Sequence, residues 1–245
     1  MSLYLTTKNK MNYTAPISAV IHPEKVNQIM EAINRAEKIV ITTHRSPDGD
    51  ALGSSLALYH FLKRKNKTVK VIVPNSFPYF LKWMPGAREV EVYEYNPSAA
   101  QHILSHADLI FSLDYNIPKR VGDMAPYLEQ SPAKKILIDH HLLPGTIFDI
   151  TVSHPEISST AELMFRLFFQ AGYYEELTKE EAECIYCGMM TDTGSFTFNS
   201  SDPEIFEIVS LLLRKGINKD TIYSQVFDDY SEESEPLFGV IVECL

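Results

Sequence analysis

The sequence predicts an α/β protein built on a parallel, doubly wound sheet that is flanked by helices. Short apolar runs rich in β-branched residues alternate with segments whose apolar residues recur at helical spacing, and this alternation is typical of a parallel sheet covered on both faces. The first two runs, at 38–44 and 68–74, lie on either side of one helical segment, which indicates a right-handed βαβ unit. With 245 residues, of which 45% are hydrophobic, the chain is long enough to bury a large core.

Local signals define each element in turn. The first helix has apolar residues at helical intervals, and the helix after the first strand ends in a basic turn, which suits the helix dipole. Ser158 and Ser159 cap the start of a later helix, and Gly172 closes it. We predict helices over 23–37, 51–67, about 121–128, 158–172, 178–191, 202–216 and 218–227, and strands over 38–44, 68–74, 107–114, 134–140 and 147–153.

The domain organisation follows from the same pattern. We expect an N-terminal extension over 1–22 and one catalytic domain over 23–227. The segment 228–245 is strongly apolar up to the final residue, whereas chain termini are usually polar and frayed. Two interpretations stay open: this segment packs on the domain as a helix, or it begins a linker helix to a second domain that is absent from this sequence. We favour the linker helix.

Charge and cysteine content limit the partners and the compartment. The net charge of −10 excludes binding of long duplex nucleic acid through a broad basic surface. No apolar stretch approaches the ~20 residues that span a bilayer, so no membrane partner is expected. The N-terminus lacks an apolar segment of the secretory type, and the three cysteines predict reduced thiols in the cytoplasm. Cys184 and Cys187 lack a second pair to complete a zinc site, so we expect them to pack in the core.

Four polar clusters carry the chemistry. Three follow predicted strands directly, and the fourth lies at the end of a predicted helix from which it could reach the same rim. In an open α/β sheet, the loops beyond the carboxyl ends of the strands form the ligand crevice. The clusters are THRSPDGD with His44, Asp48 and Asp50, SLDYN with Asp114, LIDHH with Asp139, His140 and His141, and MTDTGSF with Asp192.

Taken singly, each cluster has an ordinary structural explanation, because aspartates form turns and caps and a histidine can be satisfied in a core. Together, four carboxylates and two imidazoles at one rim would be costly to bury without a partner, and Arg45 is the only basic residue of the four segments. Oxygen and imidazole ligands suit Mn²⁺ or Mg²⁺ better than a structural zinc. Six ligands suit two ions about 3.5–4 Å apart that share a carboxylate. Such ions would let an acidic protein bind a small phosphate ester.

The segment Ser158, Ser159 and Thr160 has two interpretations of equal weight. At a helix N-terminus, its backbone N–H groups and hydroxyls could bind a phosphate of the substrate. Alternatively, these residues only cap the helix.

The motifs HRSPDGD, SLD, IDHH and MTDTGSF, in this order, resemble the four signature motifs of the DHH phosphoesterase superfamily, which includes the RecJ-type exonucleases and the family II inorganic pyrophosphatases. The wider strings THRSPDGDALGSSLAL, SSTAEL and GMMTDTGSF are most similar to the branch that degrades very short RNAs (nanoRNA) and dephosphorylates 3′-phosphoadenosine 5′-phosphate (pAp). The resemblance covers roughly residues 23 to 242.

The resemblance implies roles for individual residues. His44 and Asp48 would ligate one ion and Asp50, His140 and Asp192 the other, with Asp114 bridging the two. Asp139 would hold the histidine loop, and His141 would face the scissile phosphate as a hydrogen-bond donor or general acid. Arg120 resembles a recurrent arginine of this branch and, with Ser159 and Thr160, is a candidate for substrate binding.

The resemblance also implies the activity. We expect a phosphoesterase that uses two divalent cations, Mn²⁺ in the first place and Mg²⁺ as the alternative, on short oligoribonucleotides or pAp. Members of the family continue into a DHHA1-type domain with a GGGH motif, a string that this sequence does not contain. An inorganic pyrophosphatase or cyclic-dinucleotide phosphodiesterase on the same metal site is the nearest alternative, and a catalytically inactive nucleotide-binding module is the alternative of another class. The sequence leaves a homodimer open.

Overall fold

A computed structural model describes residues 17–228 and shows a six-stranded sheet in which all strands are parallel. The strands are β1 (Lys38–Thr42), β2 (Thr68–Val73), β3 (Glu91–Val92), β4 (Leu109–Leu113), β5 (Lys134–Asp139) and β6 (Ile150–Ser153). Their order across the sheet is β3-β2-β1-β4-β5-β6. β1 and β4 are therefore neighbours in space although two strands separate them in sequence.

Helices cover both faces of the sheet, which confirms the predicted doubly wound α/β class. They are α1 (Pro23–Arg35), α2 (Gly49–Arg64), α3 (Pro97–Ser105), α4 (Ala125–Gln130), α5 (Thr160–Gln170), α6 (Lys179–Asp192), α7 (Pro203–Leu213) and α8 (Lys219–Phe227). The larger of two apolar cores contains residues of α1, α2, α5 and α6, and the smaller lies on the opposite face with residues of α3 and α4. No helix within residues 17–228 is long and apolar enough to cross a membrane.

The predicted elements are present with ends shifted by a few residues, but one strand, β3, and one α-helix, α3, were not predicted. β3 has two residues, too few to show a periodic pattern. α3 begins at Pro97 after the cap Asn96, whose side chain accepts a hydrogen bond from the N–H of Ala99. The predicted helix at 121–128 is a 3₁₀ segment (Pro118–Met124) followed by α4, because Gly122 adopts a positive φ of 57° that interrupts the helix.

Close packing of α2 against α6 depends on glycines where the backbones meet. A Cβ on Gly53 would lie 2.5 Å from the carbonyl oxygen of Cys184, and one on Gly188 would lie 2.6 Å from the Cβ of Ala161 and 3.0 Å from a carboxylate oxygen of Asp50. Cys184 is fully buried on this face of α6, as the packing interpretation predicts, and so is Cys187. The glycines therefore let α2, α5 and α6 converge beside Asp50.

The ends of the chain relate differently to the described domain. Residues 17–22 belong to the expected N-terminal extension, but Ile21 is buried and exchanges two hydrogen bonds with the side chain of Gln170 in α5. This part of the segment therefore packs on the domain. Residues 1–16 and the expected linker helix, apart from Asp228, lie outside the described residues, and the domain boundaries stay a prediction.

Replacing Gly188 by Ala should destabilise the protein even though alanine favours helices. The added methyl group would meet the Cβ of Ala161 at 2.6 Å and force the helices apart, and overpacking of this kind costs about 1–3 kcal/mol. Urea denaturation followed by circular dichroism measures the loss. Gly145→Ala is the matched control because its Cβ would meet the nearest atoms at 3.4 Å. Equal stability of Gly188→Ala and the wild type would contradict the packing argument.

Candidate metal centre

The four polar clusters meet at the carboxyl ends of β1, β4 and β5. His44 and Asp48 follow β1, Asp114 follows β4, and His140 follows β5. The chain turns outward in opposite directions from β1 and β4, and in open α/β sheets such a switch point forms the ligand crevice. Asp192 is the last residue of α6 and joins this group from the helical layer.

One set of ligand atoms surrounds His44. Its Nε2 lies 3.3 Å from Oδ2 of Asp114 and 3.8 Å from Oδ2 of Asp48. Asp48 caps α2 with its other oxygen, Oδ1, which accepts the N–H of Ala51 at 2.9 Å. The cap therefore fixes the carboxylate with Oδ2 directed toward His44.

A second set surrounds His140. Its Nε2 lies 3.9 Å from Oδ2 of Asp50, 3.6 Å from Oδ2 of Asp192 and 3.5 Å from Oδ1 of Asp114. Asp114 therefore presents one oxygen to each set. Within the first set (His44, Asp48, Asp114), and likewise within the second (Asp50, His140, Asp192), the candidate ligand atoms all lie within 4.8 Å of one another. A third group, Asp114, His140 and His141, meets the same condition.

Backbone carbonyls select the histidine tautomers. Nδ1 of His44 is 2.8 Å from the carbonyl oxygen of Arg45, and Nδ1 of His140 is 3.3 Å from that of Ile157. A carbonyl can only accept, so in both rings the neutral form carries its proton on Nδ1. When the ring is neutral, Nε2 has a lone pair that faces the carboxylates, as metal ligation requires.

Asp114 has an unusual backbone conformation. Its φ is 62°, in the left-handed region that aspartate enters more readily than most residues. The next residue, Tyr115, is fully buried, and its hydroxyl bonds to Ser112 at 2.6 Å and to Thr42 at 2.7 Å. These anchors hold the turn that places the Asp114 carboxylate between the two histidines.

The charges of the cluster are strongly coupled. Burial opposes protonation of His44, but hydrogen bonds to Asp114 and Asp48 outweigh it and raise its pKa to about 10. Burial and the neighbouring carboxylates raise the pKa of Asp50 well above its ordinary value, and burial is also the main reason why the pKa of Asp192 rises to about 6. Hydrogen bonding and attraction by His44 overcome burial and lower the pKa of Asp114. Asp114, which pairs with His44, therefore stays ionised most readily, whereas Asp50 and Asp192 are protonated more readily than ordinary aspartates.

The donor set fits two divalent cations. Asp50 and Asp114 are 1% and 2% exposed, and both lie among further carboxylates. Carboxylate oxygens are the ligands that Mg²⁺ and Mn²⁺ prefer, and neutral imidazole nitrogens are ligands of first-row transition metals, so the mixed set suits Mn²⁺ better than Mg²⁺. The nearby thiol of Cys187 is buried and its pKa is raised to about 12, mainly by burial, so it is unsuited to act as a thiolate ligand. Six candidate ligand side chains, with Asp114 between the two sets, match the arrangement expected for a pair of ions.

Asp139 contacts His141. Its Oδ1 lies 2.7 Å from Nδ1 of His141, and this hydrogen bond is the main reason why the pKa of His141 is raised. Asp139 is fully buried, and its Oδ2 has no hydrogen-bond partner among the described residues. The contact fixes the ring of His141 through Nδ1 and leaves Nε2 without a bond to Asp139.

The residues expected to contact substrate are placed differently from one another. Arg120 is exposed at the rim; its carbonyl accepts the N–H of Arg45 at 2.8 Å, and its charge opposes protonation of His141. Ser159 and Thr160 are fully buried at the start of α5. Ser159 caps the helix by accepting the N–H of Glu162 at 3.0 Å, which is the capping role weighed for this segment. Substrate contact by Ser159, Thr160 and Arg120 stays a prediction.

The N-terminus of α5 donates hydrogen bonds to the carboxylate of Asp50. The N–H groups of Thr160 and Ala161 donate to Oδ2 and Oδ1 of Asp50, each at 2.7 Å, and the hydroxyl of Thr160 donates to Oδ1 of Asp114 at 3.0 Å. The positive end of the helix dipole thus stabilises Asp50. The motif suggested an anion at this helix end, but sequence alone could not identify Asp50, which lies 110 residues earlier, as its partner.

A buried ion-pair network fixes the first turns of α5. Nη2 of Arg166 lies 2.7 Å from Oε1 of Glu162, both side chains being 1% exposed, and Nη1 lies 2.8 Å from Oε2 of Glu204 in α7. Oε2 of Glu162 accepts the N–H of Ser158 at 3.1 Å. Sequence reasoning did not find this network, although the charged pair at i and i+4 in an otherwise apolar helix was a signal for it.

Fold and site together define an α/β domain with a candidate two-metal centre at its switch point. Residues 38–189 match the model of the DHH family, N-terminal domain. The chain belongs to this family, as the motifs predicted.

Relatives with described activities match most of this chain but only part of their own length. A bifunctional oligoribonuclease and PAP phosphatase, NrnA of Thermus thermophilus, is 31% identical over 79% of this chain and 55% of its own length. A cyclic-di-AMP phosphodiesterase, PdeA of Listeria monocytogenes, is 26% identical over 81% of this chain and 31% of its own length. The chain therefore spans about half of the first relative and about a third of the second.

Solved structures share the architecture. An exopolyphosphatase-related protein of Bacteroides fragilis is 51% identical and superposes with a TM-score of 0.88 over 93% of this chain and 67% of its own. A manganese-bound exonuclease RecJ is 17% identical with a TM-score of 0.50 over 87% of this chain and 56% of its own, a likeness of fold.

Replacing Arg166 by Met should destabilise the domain by about 3–5 kcal/mol, because it leaves the Glu162 carboxylate buried without its cation. Arg35→Met is the control, since Arg35 pairs with Glu31 in an exposed i,i+4 pair and such pairs contribute about 0–1 kcal/mol. Urea denaturation of both variants measures the difference. Equal losses for the two variants would mean that the buried network does not hold α5.

Proposed function

We propose that this protein is a metal-dependent phosphoesterase that hydrolyses very short oligoribonucleotides, 3′-phosphoadenosine 5′-phosphate, or both. The observation that carries the proposal is the pair of ligand sets that share Asp114. The resemblance of the four motifs and the relatives named as oligoribonucleases and PAP phosphatases support this substrate class.

Six side chains would hold two divalent cations, Mn²⁺ in the first place and Mg²⁺ as the alternative. His44 and Asp48 would bind one ion and Asp50, His140 and Asp192 the other, with Asp114 shared. When bound, a pair of ions neutralises phosphate charge and supplies Lewis acidity and an acidified water. The manganese in the RecJ structure supports the choice of metal.

The remaining residues of the site would act on the phosphate and the leaving group. Asp139 accepts the Nδ1 proton of His141 and so leaves Nε2 for the substrate. The raised pKa of His141 favours the protonated ring, which can donate a hydrogen bond or a proton to an oxygen of the phosphate ester. Arg120 at the rim suits a further phosphate of a nucleotide. Ser159 and Thr160 are also predicted substrate contacts, but both are fully buried and already hydrogen-bonded within the protein.

The setting of this activity is also proposed. The catalytic domain would comprise residues 23–227, with 1–22 as an extension and 228–245 as the start of a linker to a DHHA1-type domain. The acidic chain would act in the cytoplasm on small nucleotides, without long duplex nucleic acid or a membrane as partners. If the protein forms a homodimer, light scattering in solution would give twice the mass of one chain.

A cyclic-dinucleotide phosphodiesterase is the second candidate, because relatives of that name match more than four-fifths of this chain. Side-by-side assays of the full-length protein on a diribonucleotide, pAp, cyclic di-AMP and pyrophosphate separate the candidates. Turnover of the diribonucleotide, of pAp or of both, without the other two, supports our proposal. Turnover of cyclic di-AMP alone supports the second candidate, and turnover of pyrophosphate alone supports a pyrophosphatase. Metal binding without turnover of any of the four supports an inactive nucleotide-binding module.

Removing metal should abolish hydrolysis reversibly. After dialysis against EDTA we expect no turnover of pAp or diribonucleotide, with recovery on addition of Mn²⁺. Calorimetric titration of the metal-free protein should give two Mn²⁺ ions per chain, because five of the six candidate ligands lie in one set only and Asp114 alone faces both. Full activity in EDTA would exclude a metal-dependent mechanism.

Asp114→Ala should remove turnover and weaken both ions, because each ligand set loses the shared carboxylate. Steady-state kinetics and Mn²⁺ titration of the full-length variant measure the two effects. Asp123→Ala is the control, an exposed aspartate of the 3₁₀ segment after β4 that belongs to neither ligand set. Turnover by Asp114→Ala at the wild-type rate would refute the proposed site.

A further inference from the structure

We infer that Thr160 is a positioning residue that couples the two metal sites. Thr160 donates two hydrogen bonds to carboxylates of the metal centre. Its N–H donates to Oδ2 of Asp50 at 2.7 Å, and its hydroxyl donates to Oδ1 of Asp114 at 3.0 Å. Asp50 belongs to the second ligand set, and Asp114 lies between the two sets, with Oδ2 near Nε2 of His44 and Oδ1 near Nε2 of His140. The inference rests on the proposed metal-dependent function and assigns Thr160 a role other than substrate contact.

The hydroxyl acts on the rotation of the shared carboxylate. Oδ2 of Asp114 faces Nε2 of His44 at 3.3 Å, and Oδ1 faces Nε2 of His140 at 3.5 Å. The terminal torsion of an aspartate is intrinsically broad, so the backbone of Asp114 alone does not determine how its plane is turned. A hydrogen bond to Oδ1 occupies one lone pair and keeps the other oxygen directed toward His44.

Thr160 itself is held firmly. Its side chain is completely buried, Ser159 before it caps α5, and Ala161 after it donates its N–H to Oδ1 of Asp50 at 2.7 Å. Glu162 is fixed by the buried guanidinium of Arg166 at 2.7 Å. The hydroxyl therefore extends from a rigid helix end, which is the property a positioning group needs.

Burial also separates this role from direct binding of substrate. The Thr160 side chain has no exposed surface, and both of its described donors are used on Asp50 and Asp114. A substrate phosphate would have to displace the bond to Asp114. Loss of the hydroxyl should therefore weaken metal binding in the absence of any substrate.

The inference makes a specific demand on the pair of ions. When Thr160 orients Asp114, Oδ2 already faces the first ligand set and Oδ1 the second, so neither ion has to rotate the carboxylate. Without the hydroxyl, each ion has to orient the carboxylate, and outer-shell hydrogen bonds of this kind change metal affinity by about 10–100-fold. Because both ions use Asp114, the loss should appear at both sites.

The test compares Thr160→Val with Thr160→Ser in the full-length protein. Valine keeps the shape and the backbone N–H to Asp50 but removes the hydroxyl, whereas serine keeps the hydroxyl and removes a methyl group. We expect Mn²⁺ affinity, measured by calorimetry without substrate, to fall about 10–100-fold in Thr160→Val and to stay within about three-fold of the wild type in Thr160→Ser. Electron paramagnetic resonance should show weaker coupling between the two Mn²⁺ ions in the valine variant alone.

Each outcome decides between the inference and its alternatives. Wild-type Mn²⁺ affinity and coupling in Thr160→Val would overturn the inference, and a raised KM with unchanged metal binding would assign Thr160 to substrate instead. Failure of the wild type to bind Mn²⁺ would refute the proposed function together with the inference. If Thr160→Val does not fold, as judged by circular dichroism, Thr160→Ala provides the same loss of hydroxyl with a smaller side chain.

Discussion

Two backbone N–H groups at the start of α5 bind the two carboxylate oxygens of Asp50, and the adjoining hydroxyl binds Asp114. These bonds connect the helical layer to the ends of the strands at the point where negative charge is concentrated. Without them, Asp50 would be a buried carboxylate beside three others, a costly arrangement in a region of low polarity. The buried pair of Glu162 and Arg166 and the glycine contacts of α6 both serve to keep this helix end in place.

The topology explains why residues so distant in sequence meet. β1 and β4 lie side by side at the switch point, so the loop after β1 and the turn at Asp114 face each other across one crevice. The left-handed turn at Asp114 then directs its carboxylate between His44 and His140. In a chain with a net charge of −10, the proposed pair of divalent cations would make this crevice suitable for a phosphate ester.

The proposed metal centre does not by itself determine the substrate. Relatives named for different activities match similar shares of this chain, 79% and 81%, and they match with less than two-thirds of their own length. Binding energy from groups remote from the reacting phosphate usually decides which nucleotide is processed. Within the described domain, we propose that the exposed Arg120 and the half-exposed His141 contribute to that choice.

The sequence by itself determined the fold class, the existence of most strands and helices, and the identity of the clustered residues. These depend on local periodicity and on short motifs, which are written in consecutive residues. It could not show β3, the interruption at Gly122, or the partners of the helix end at Thr160, where two interpretations had equal weight. The tertiary structure decided those points, because a hydrogen bond between Thr160 and Asp50 spans 110 residues and exists only when α2, α5 and α6 are packed together. Spatial proximity of this kind leaves no periodic signal in the sequence.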